Sequence, residues 1–201
     1  MASRDGRTFG HISGVEVGTN FNSKAALADA GVHKLQQSGI HGDKELGAFS
    51  ICLSKGYEDN VDRGNIMHVR FLPSRPNTDI TFIMFSTYVG SGGQDEDGKQ
   101  ISDQDPDSGV NKAMFLSSET RRPVRVVRGA NDDNAYSPRR GFRYDGLYVV
   151  DEAKMMDGKK GFQMCTFKLK RIDEEGQKPI PIRRTLTLGK LAKMRKNTRT
   201  G

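Results

Sequence analysis

The chain contains no tryptophan and only two cysteines, Cys52 and Cys165. Both cysteines lie inside apolar segments, which is typical of buried, reduced thiols and argues against a disulfide framework or a zinc site. The four histidines lack the spacing of metal ligands, and no GxSxG, HExxH or Walker-type sequence is present. We therefore expect a protein that is not an enzyme, with no catalytic residue, no metal and no cofactor.

Long hydrophobic runs are also absent. The longest apolar stretch, at residues 80–85, has the length of a strand and falls far short of the ~20 residues that a membrane helix needs. The first residues include no apolar segment of the kind that a secretory signal requires. These absences predict an intracellular, soluble protein that does not contact membranes.

Acidic side chains are missing from the last part of the chain. Residues 176–201 contain eight lysines and arginines and no acid, which leaves 24 of the 32 basic side chains and all 25 acidic ones in residues 1–175. The net charge of +7 therefore belongs to this segment. We expect a basic, flexible tail that is either a nuclear-localisation or DNA-contacting arm or a solubilising end.

One basic cluster lies within the body of the chain, where residues 121–143 hold seven arginines and two aspartates. Such a cluster can neutralise DNA phosphates, although a run of charge is more often a solvated surface. The candidate phosphate ligands in this cluster are Arg122, Arg125, Arg128 and Arg143.

Local patterns predict an α+β protein built on a curled sheet or barrel. A polar cap at Asn22-Ser23 and a stop at Gly31 predict a short helix between them, and residues 111–119 predict a second. Alternating or β-branched segments predict strands at 47–53, 124–128, 146–150 and 162–171.

Two short blocks, residues 56–65 and 88–93, suggest a pocket for one flat ring. Each block supplies a tyrosine, Tyr57 and Tyr88; the first also supplies the Asn60 amide, and the second supplies closely spaced glycines. These are the groups needed to hold an extruded nucleobase and read its hydrogen-bonding edge. The alternative is that the tyrosines are core residues at strand ends.

A series of motifs gives a more specific indication. The series runs in chain order through GVEVG at 14–18, GVH at 31–33, GIHG at 39–42, GAFS at 47–50, GYED at 56–59, YVGSGG at 88–93, PVRVVR at 123–128 and RYDGLY at 143–148. It resembles the SRA (SET and RING associated) or YDG domain. The resemblance implies an α+β, PUA-like, saddle-shaped and partly closed β-barrel with short flanking helices, at residues 9–175.

The resemblance also implies a function. Members of this family bind double-stranded DNA that contains 5-methylcytosine and flip the modified base, and the chain has no RING, PHD or SET sequence beside that domain. We therefore expect a nuclear chromatin reader, with histones or chromatin-modifying enzymes as further partners. Two alternatives stay open: a scaffold of the same fold that acts through histone, methyltransferase or ubiquitin-ligase contacts with little base selectivity, and an RNA-binding protein.

By resemblance, Tyr57 and Tyr88 stack on the two faces of the flipped base. Ser91 and the neighbouring backbone of Val89 and Gly90 pack on its 5-methyl group. Val89 replaces a threonine that is usual in animal members, which removes a hydroxyl but keeps the backbone groups.

Two loops would contact the DNA by resemblance. Gln37 lies at the tip of a loop that enters the minor groove and fills the gap left by the flipped base. Lys99 and Gln100 lie in the finger loop that reads the opposite strand in animal members. Since the residues of that finger are not matched, we do not expect a preference for hemimethylated DNA.

An atypical insertion separates the two pocket blocks. Residues 66–84 lie where the family has almost no intervening chain, and they exceed the ~12–15 residues beyond which plain loops are uncommon. The stretch is either a surface insertion beside the pocket or an intron retained in the coding sequence.

Asn60 predicts altered base selectivity, because better-known members carry an aspartate there. An amide can match the N4 donor and N3 acceptor of cytosine, but after rotation it also matches thymine, which a carboxylate would repel. We expect binding to 5-methylcytosine duplexes to exceed binding to thymine-mismatched duplexes by less than ~100-fold, since one discriminating pair is worth about 1–3 kcal/mol. Fluorescence binding to both duplexes measures this ratio. Asn60→Asp should raise it, and a wild-type ratio above ~100-fold would contradict the prediction.

Overall fold

The computed structural model describes residues 4–54, 85–95, 99–132, 134–173 and 177–182. Tyr57, Asn60, the predicted insertion at 66–84 and most of the predicted tail lie outside these ranges. Within them, no helix combines the length and the hydrophobicity needed to cross a membrane.

The described part of the chain forms one mixed sheet and two helices. The elements are β1 (Asn20–Phe21), α1 (Lys24–Asp29), β2 (Ile40–Asp43), β3 (Gly47–Leu53), β4 (Phe85–Val89), α2 (Gly109–Thr120), β5 (Val124–Gly129), β6 (Phe142–Asp157) and β7 (Gln163–Arg171). This arrangement confirms the predicted α+β class.

The strand order across the sheet is β2-β3-β5-β6-β7-β4, and β1 pairs with the start of β6. Only β3 and β5 run parallel among the described pairs. The hydrogen-bonded ladder of these strands is open, with β2 and β4 at its two edges. A Cβ placed on Gly39, just before β2, would nevertheless overlap the hydroxyl of Tyr88 on β4. The sheet is therefore curled enough to bring its two edges together at this point.

Helix α1 has the boundaries that its capping residues predict. Ser23 is the N-cap, and its hydroxyl accepts a hydrogen bond from the Ala26 N–H at 3.1 Å. Gly31, with a φ of 76°, follows the end of the helix in the left-handed conformation that glycine adopts most easily.

Helix α2 packs against β2, β3 and β6 and covers one side of the core. Ala113 and Met114 are fully buried there. Ser117 also contributes: its hydroxyl accepts from the Ala48 N–H of β3 at 2.8 Å and donates to the Ala113 carbonyl at 2.9 Å. The helix is thereby held to the sheet by a polar contact as well as by apolar packing.

Strand β6 is much longer than the predicted segment 146–150. Its first half pairs with β5, and its second half continues alongside β7 as far as Asp157. The second half has solvent-exposed residues such as Glu152 and Lys154, so its apolar pattern is weak. The pairing with β7, which is a long-range interaction, extends the strand.

Asp145 lies on β6 as a buried carboxylate between two arginines. Arg128 of β5 donates to its Oδ2 at 2.7 Å, and Arg143 donates to both carboxylate oxygens. Arg128 also donates to the Tyr148 hydroxyl at 3.2 Å. The backbone carbonyl of Asp145 accepts from Arg171 of β7 at 3.3 Å. Strands β5, β6 and β7 are thus joined by one polar cluster in the interior.

Arg125 on β5 is a second fully buried cation, and its partners are backbone carbonyls. Its Nε donates to the Val32 carbonyl at 3.0 Å, and its two terminal nitrogens donate to the carbonyls of Gly6, Thr8 and Gly10. Burial lowers the pKa of the guanidinium to about 10. Three carbonyls of residues 6–10 are therefore bound to the sheet by this one side chain.

The segment after β7 also packs on the body. Gln177 accepts from the Leu147 N–H and donates to the Ile172 carbonyl at 2.6 Å, and Ile180 is buried in the core. The packed part of the chain consequently reaches into the predicted tail, 176–201.

Candidate nucleic-acid interface

The described loops that can approach a nucleic acid lie at defined positions on the sheet. Residue pairing places Ile40 opposite Ile51, Leu53 opposite Arg128, and Gly129 opposite Phe142. The loop at 34–39 and the loop at 130–141 therefore lie at the same end, where the chain leaves β3. The loop after β4 begins at the other end, since Val89 pairs with Thr166 near the start of β7.

The loop at 34–39 is anchored at its base and exposed at its tip. The His33 ring contacts the Ser50 hydroxyl and the Ser38 carbonyl, both at 2.9 Å. Ser38 donates in turn to the Ile40 carbonyl at 2.7 Å. Gln37 is solvent-exposed at the tip, as its predicted role in filling the gap in DNA requires, and that role stays a prediction.

Tyr88 and Val89, two predicted pocket residues, are consecutive in β4 and so point to opposite faces of the sheet. The Tyr88 side chain belongs to the main core cluster and is only 2% exposed. In this conformation its ring is not accessible to a nucleobase. Tyr57, the other predicted stacking residue, and Asn60 lie outside the described residues.

Val89 lines a groove of about 340 Å³. The other described residues of the groove are Glu152, Lys154, Met156, Asp157, Gly158, Met164, Thr166 and Lys168. They come from the ends of β6 and β7 and the turn between them. Of the predicted pocket residues that the structure describes, only Val89 contributes to this groove.

Gly90 and Ser91 are held by a residue that the sequence analysis did not select. Asn111, in the first turn of α2, accepts from the Ser91 N–H at 2.8 Å and donates to the Ser91 carbonyl at 2.9 Å. A Cβ on Gly90 would lie 2.5 Å from the Asn111 Oδ1 and 2.8 Å from the Cys165 Cβ. Only glycine leaves room for this approach. In the sequence, Asn111 could have been noticed as a polar residue at the start of the apolar face of a predicted helix.

The predicted finger-loop residues have different surroundings. Lys99 is exposed, whereas Gln100 is only 8% exposed. The Gln100 amide donates to the carbonyls of Gly92 at 3.1 Å and Ser102 at 2.7 Å. These interior bonds contradict a finger role for the Gln100 side chain, because they hold it against its own loop. Lys99 stays a candidate.

Three of the four predicted phosphate ligands are buried. Arg125 and Arg128 are fully buried and Arg143 is 5% exposed, and their guanidinium groups bind the carbonyls and the Asp145 carboxylate described above. This contradicts a phosphate-binding role for the three. The pattern VRVVR at 124–128, with arginines between valines in an interior strand of the sheet, was the sequence signal for the burial of Arg125 and Arg128.

Arg122 is the member of the predicted set that is exposed. Its Nη1 donates to the Leu46 carbonyl at 3.0 Å, and its guanidinium lies 4.9 Å from the centre of the Phe9 ring. Its contact with phosphate stays a prediction. Arg139 and Arg140, in the loop at 130–141, are exposed as well and lie at the same end of the sheet as Gln37.

No cluster of metal-binding side chains is present within the described ranges. Both cysteines are free and buried, as predicted, and burial raises the pKa of each thiol to about 11. Neither thiol is activated as a nucleophile.

Residues 8–175 match the family model described as the SAD/SRA domain. Among curated proteins, a UHRF1-like protein of Cryptococcus neoformans var. grubii is 36% identical over 187 residues, which covers 87% of this chain and 48% of that protein. The chain therefore spans about half the length of this relative.

Solved structures, among them an SRA domain, are also similar to this chain. A modification-dependent TagI restriction endonuclease is 36% identical with a TM-score of 0.72, over 86% of this chain and 54% of that one. The SRA domain of SUVH5, in complex with hemimethylated CG DNA, is 31% identical with a TM-score of 0.64, over 86% of this chain and 99% of that one. The same SUVH5 domain also has a structure with fully methylated CG DNA, at a TM-score of 0.65.

The anchoring of the loop at 34–39 predicts a loss of stability in mild acid. Burial lowers the pKa of His33 and of His41 to about 4 in the folded protein, from 6.5. Below pH 6.5 the unfolded chain therefore takes up protons that the folded chain does not. The free energy of unfolding should fall by up to ~1.4 kcal/mol per pH unit for each histidine.

Urea unfolding between pH 7 and pH 5 measures this slope, in a range above the titration of most carboxylates. His33→Asn should unfold more easily at pH 7 but show a shallower slope, because one of the two titrating rings is gone. A stability that does not change between pH 6.5 and pH 5 would contradict the assignment of two neutral, buried rings.

Proposed function

Because the chain belongs to the SAD/SRA domain family, we propose that it binds double-stranded DNA containing 5-methylcytosine and extrudes the modified base into a pocket beside β4. The observation that carries this proposal is the likeness to the SUVH5 domain, which is matched over nearly its whole length and whose structures are complexes with methylated DNA. The approach of β4 to β2 is compatible with the saddle-shaped, partly closed barrel expected of the family.

In this proposal Tyr57 and Tyr88 supply the two stacking faces, and Asn60 reads the edge of the base. The backbone from Val89 to Ser91 contacts the 5-methyl group. Since the Tyr88 ring is buried in the free protein, base capture requires the ring to become accessible when DNA binds. Extrusion is thereby coupled to a rearrangement around β4.

The proposed activity is recognition and not catalysis. The restriction endonuclease and the UHRF1-like protein both extend well beyond the segment that matches this chain. Cleavage or ubiquitin transfer is therefore not carried over. We place the protein in the nucleus as a chromatin reader, with histones or chromatin-modifying enzymes as further partners.

Tyr57→Ala tests the pocket. Wild-type protein should bind a methylated duplex more tightly than an unmethylated one at equal salt. The variant should lose most of this preference, because stacking on an aromatic ring is worth about 1–3 kcal/mol per base. Fluorescence anisotropy with methylated, unmethylated and RNA probes measures the three affinities.

Tyr57→Phe is the matched control for this substitution, since it keeps the ring and should keep the preference. A preference for RNA in the wild-type protein would favour the RNA-binding alternative instead. Absence of binding to any probe would favour the scaffold.

Arg139 and Arg140 are the best-placed described residues for phosphate contact near the loop at 34–39. Both side chains are exposed, and pairing of β5 with β6 places their loop at the same end of the sheet as Gln37. Nonspecific affinity for DNA comes mainly from such exposed cations, because each phosphate contact releases counterions. We infer that these two arginines replace the three buried ones as phosphate ligands.

Arg139→Ala and Arg140→Ala should each weaken binding to methylated and unmethylated duplexes by the same factor. Each should also lower the slope of log affinity against log salt concentration by about 1. Lys44→Ala is the matched control, since Lys44 is an exposed cation in the turn between β2 and β3, at the opposite end of the sheet. If all three variants lower the slope equally, the phosphate contacts are not localised to the loop at 130–141.

A further inference from the structure

Three buried side-chain amides bind three consecutive backbone carbonyls in the loop after β4. Gln104 donates to the Gly90 carbonyl at 2.9 Å, Asn111 to the Ser91 carbonyl at 2.9 Å, and Gln100 to the Gly92 carbonyl at 3.1 Å. The next carbonyl, that of Gly93, accepts from the backbone N–H groups of Ile101 and Ser102 at 2.8 Å and 3.2 Å. The carbonyls of residues 90–93 are therefore all bound by groups that lie later in the chain.

Asn111 makes the most complete set of these contacts. Its Oδ1 accepts from the Ser91 N–H at 2.8 Å, while its Nδ2 donates to the carbonyls of Ser91 and Asp105. The side chain is fully buried, so water does not compete for these bonds. The peptide groups on both sides of the Ser91 Cα are thus fixed by one amide.

Gln104 supports the same loop from the sheet side. Besides its bond to Gly90, its Oε1 accepts from the Cys165 N–H of β7 at 3.0 Å. Gly90 itself donates to the Cys165 carbonyl at 2.8 Å. The amide therefore continues the pairing of β4 with β7 past the end of β4.

The position of Ser91 matters for discrimination of a single methyl group. Burial of one methyl group changes affinity by only about fourfold. A gap of about 0.5–1 Å between the methyl group and the loop would lose a quarter to a half of the van der Waals energy of their contact. A loop of glycines and serine has little stiffness of its own. Selectivity for the methyl group then depends on the residues that hold the loop.

We propose that Asn111 is a positioning residue for methyl selectivity, acting through Ser91, and that Gln104 assists it through Gly90. The proposal rests on the proposed function, in which Ser91 and its neighbouring backbone contact the 5-methyl group. Asn111 touches neither the base nor the phosphates in this account. It sets the distance between the loop and the methyl group.

Asn111→Asp is the sharpest test, because it keeps the size of the side chain and the acceptor for the Ser91 N–H. The two donated bonds are lost, and a carboxylate oxygen then faces the carbonyls of Ser91 and Asp105. Gln177→Glu is the matched control: Gln177 likewise joins a backbone N–H to backbone carbonyls, those of Leu147 and Ile172, away from this loop.

Affinities of wild type and both variants are measured for one duplex with and without 5-methylcytosine, over a series of salt concentrations. We expect Asn111→Asp to lower the ratio of the two affinities by about fourfold, with the salt dependence and the affinity for the unmethylated duplex unchanged. Gln177→Glu should keep the wild-type ratio. A folded Asn111→Asp protein with the wild-type ratio would overturn the inference while leaving the proposed function intact. A wild-type protein without any methyl preference would overturn both.

A measurement on the wild-type protein covers the case in which Asn111→Asp does not fold. The side-chain NH₂ resonances of Asn111, followed in ¹⁵N-labelled protein by NMR, should shift on addition of the methylated duplex and shift less with the unmethylated one. Equal shifts with both duplexes would overturn the inference, because the loop would then not respond to the methyl group.

Discussion

The sheet depends on the buried carboxylate of Asp145. It accepts hydrogen bonds from Arg128 on β5 and from Arg143 on its own strand, while its backbone carbonyl accepts from Arg171 on β7. Breaking a buried pair of this kind usually costs about 3–5 kcal/mol, since the partner cation stays behind without compensation. The aspartate of the YDG motif therefore stabilises the interior of the sheet. Gly146, the glycine of the same motif, has a φ of 97°, and its missing side chain leaves room for Gln177.

Five arginines of the basic cluster at 121–143 fall into two groups with different roles. Those on β5 and at the start of β6 face inward and fix the framework. Those in the loop at 130–141 face solvent. The framework holds the loop at 34–39, the loop at 130–141 and the loop after β4, all of which the proposed function requires. In the proposed function, base recognition rests on surface loops that this buried framework positions, as in many binding proteins.

Much of the fold could be predicted from the sequence where local chemistry decides the structure. The Ser23 cap and Gly31 define α1, and the valine-rich pattern of β5 defines a strand. The full length of β6 could not be predicted, because its second half depends on pairing with β7. The α+β class followed from these local patterns, and the fold family followed from a resemblance that covers most of the chain.

The candidate site was less predictable. Arg125 and Arg128 have the charge of phosphate ligands, yet charge alone does not reveal that internal carbonyls and a carboxylate already bind them. Gln100 was assigned to an exposed finger because its position in the chain suggested it, whereas its amide is bound by its own loop. Asn111 had no motif to mark it, since its importance arises from a contact with Ser91, 20 residues earlier.

The carbonyl cage around Arg125 has a consequence for where the domain begins. Gly6, Thr8 and Gly10 supply three of the four carbonyls that solvate this buried cation, and a lysine could not replace the planar fork that reaches them. A fragment that starts at the first apolar motif, at residue 14, would keep every strand that the structure describes and still leave the Arg125 cation in the core with most of its partners missing. Residues 6–10 are thus an integral part of the folded unit.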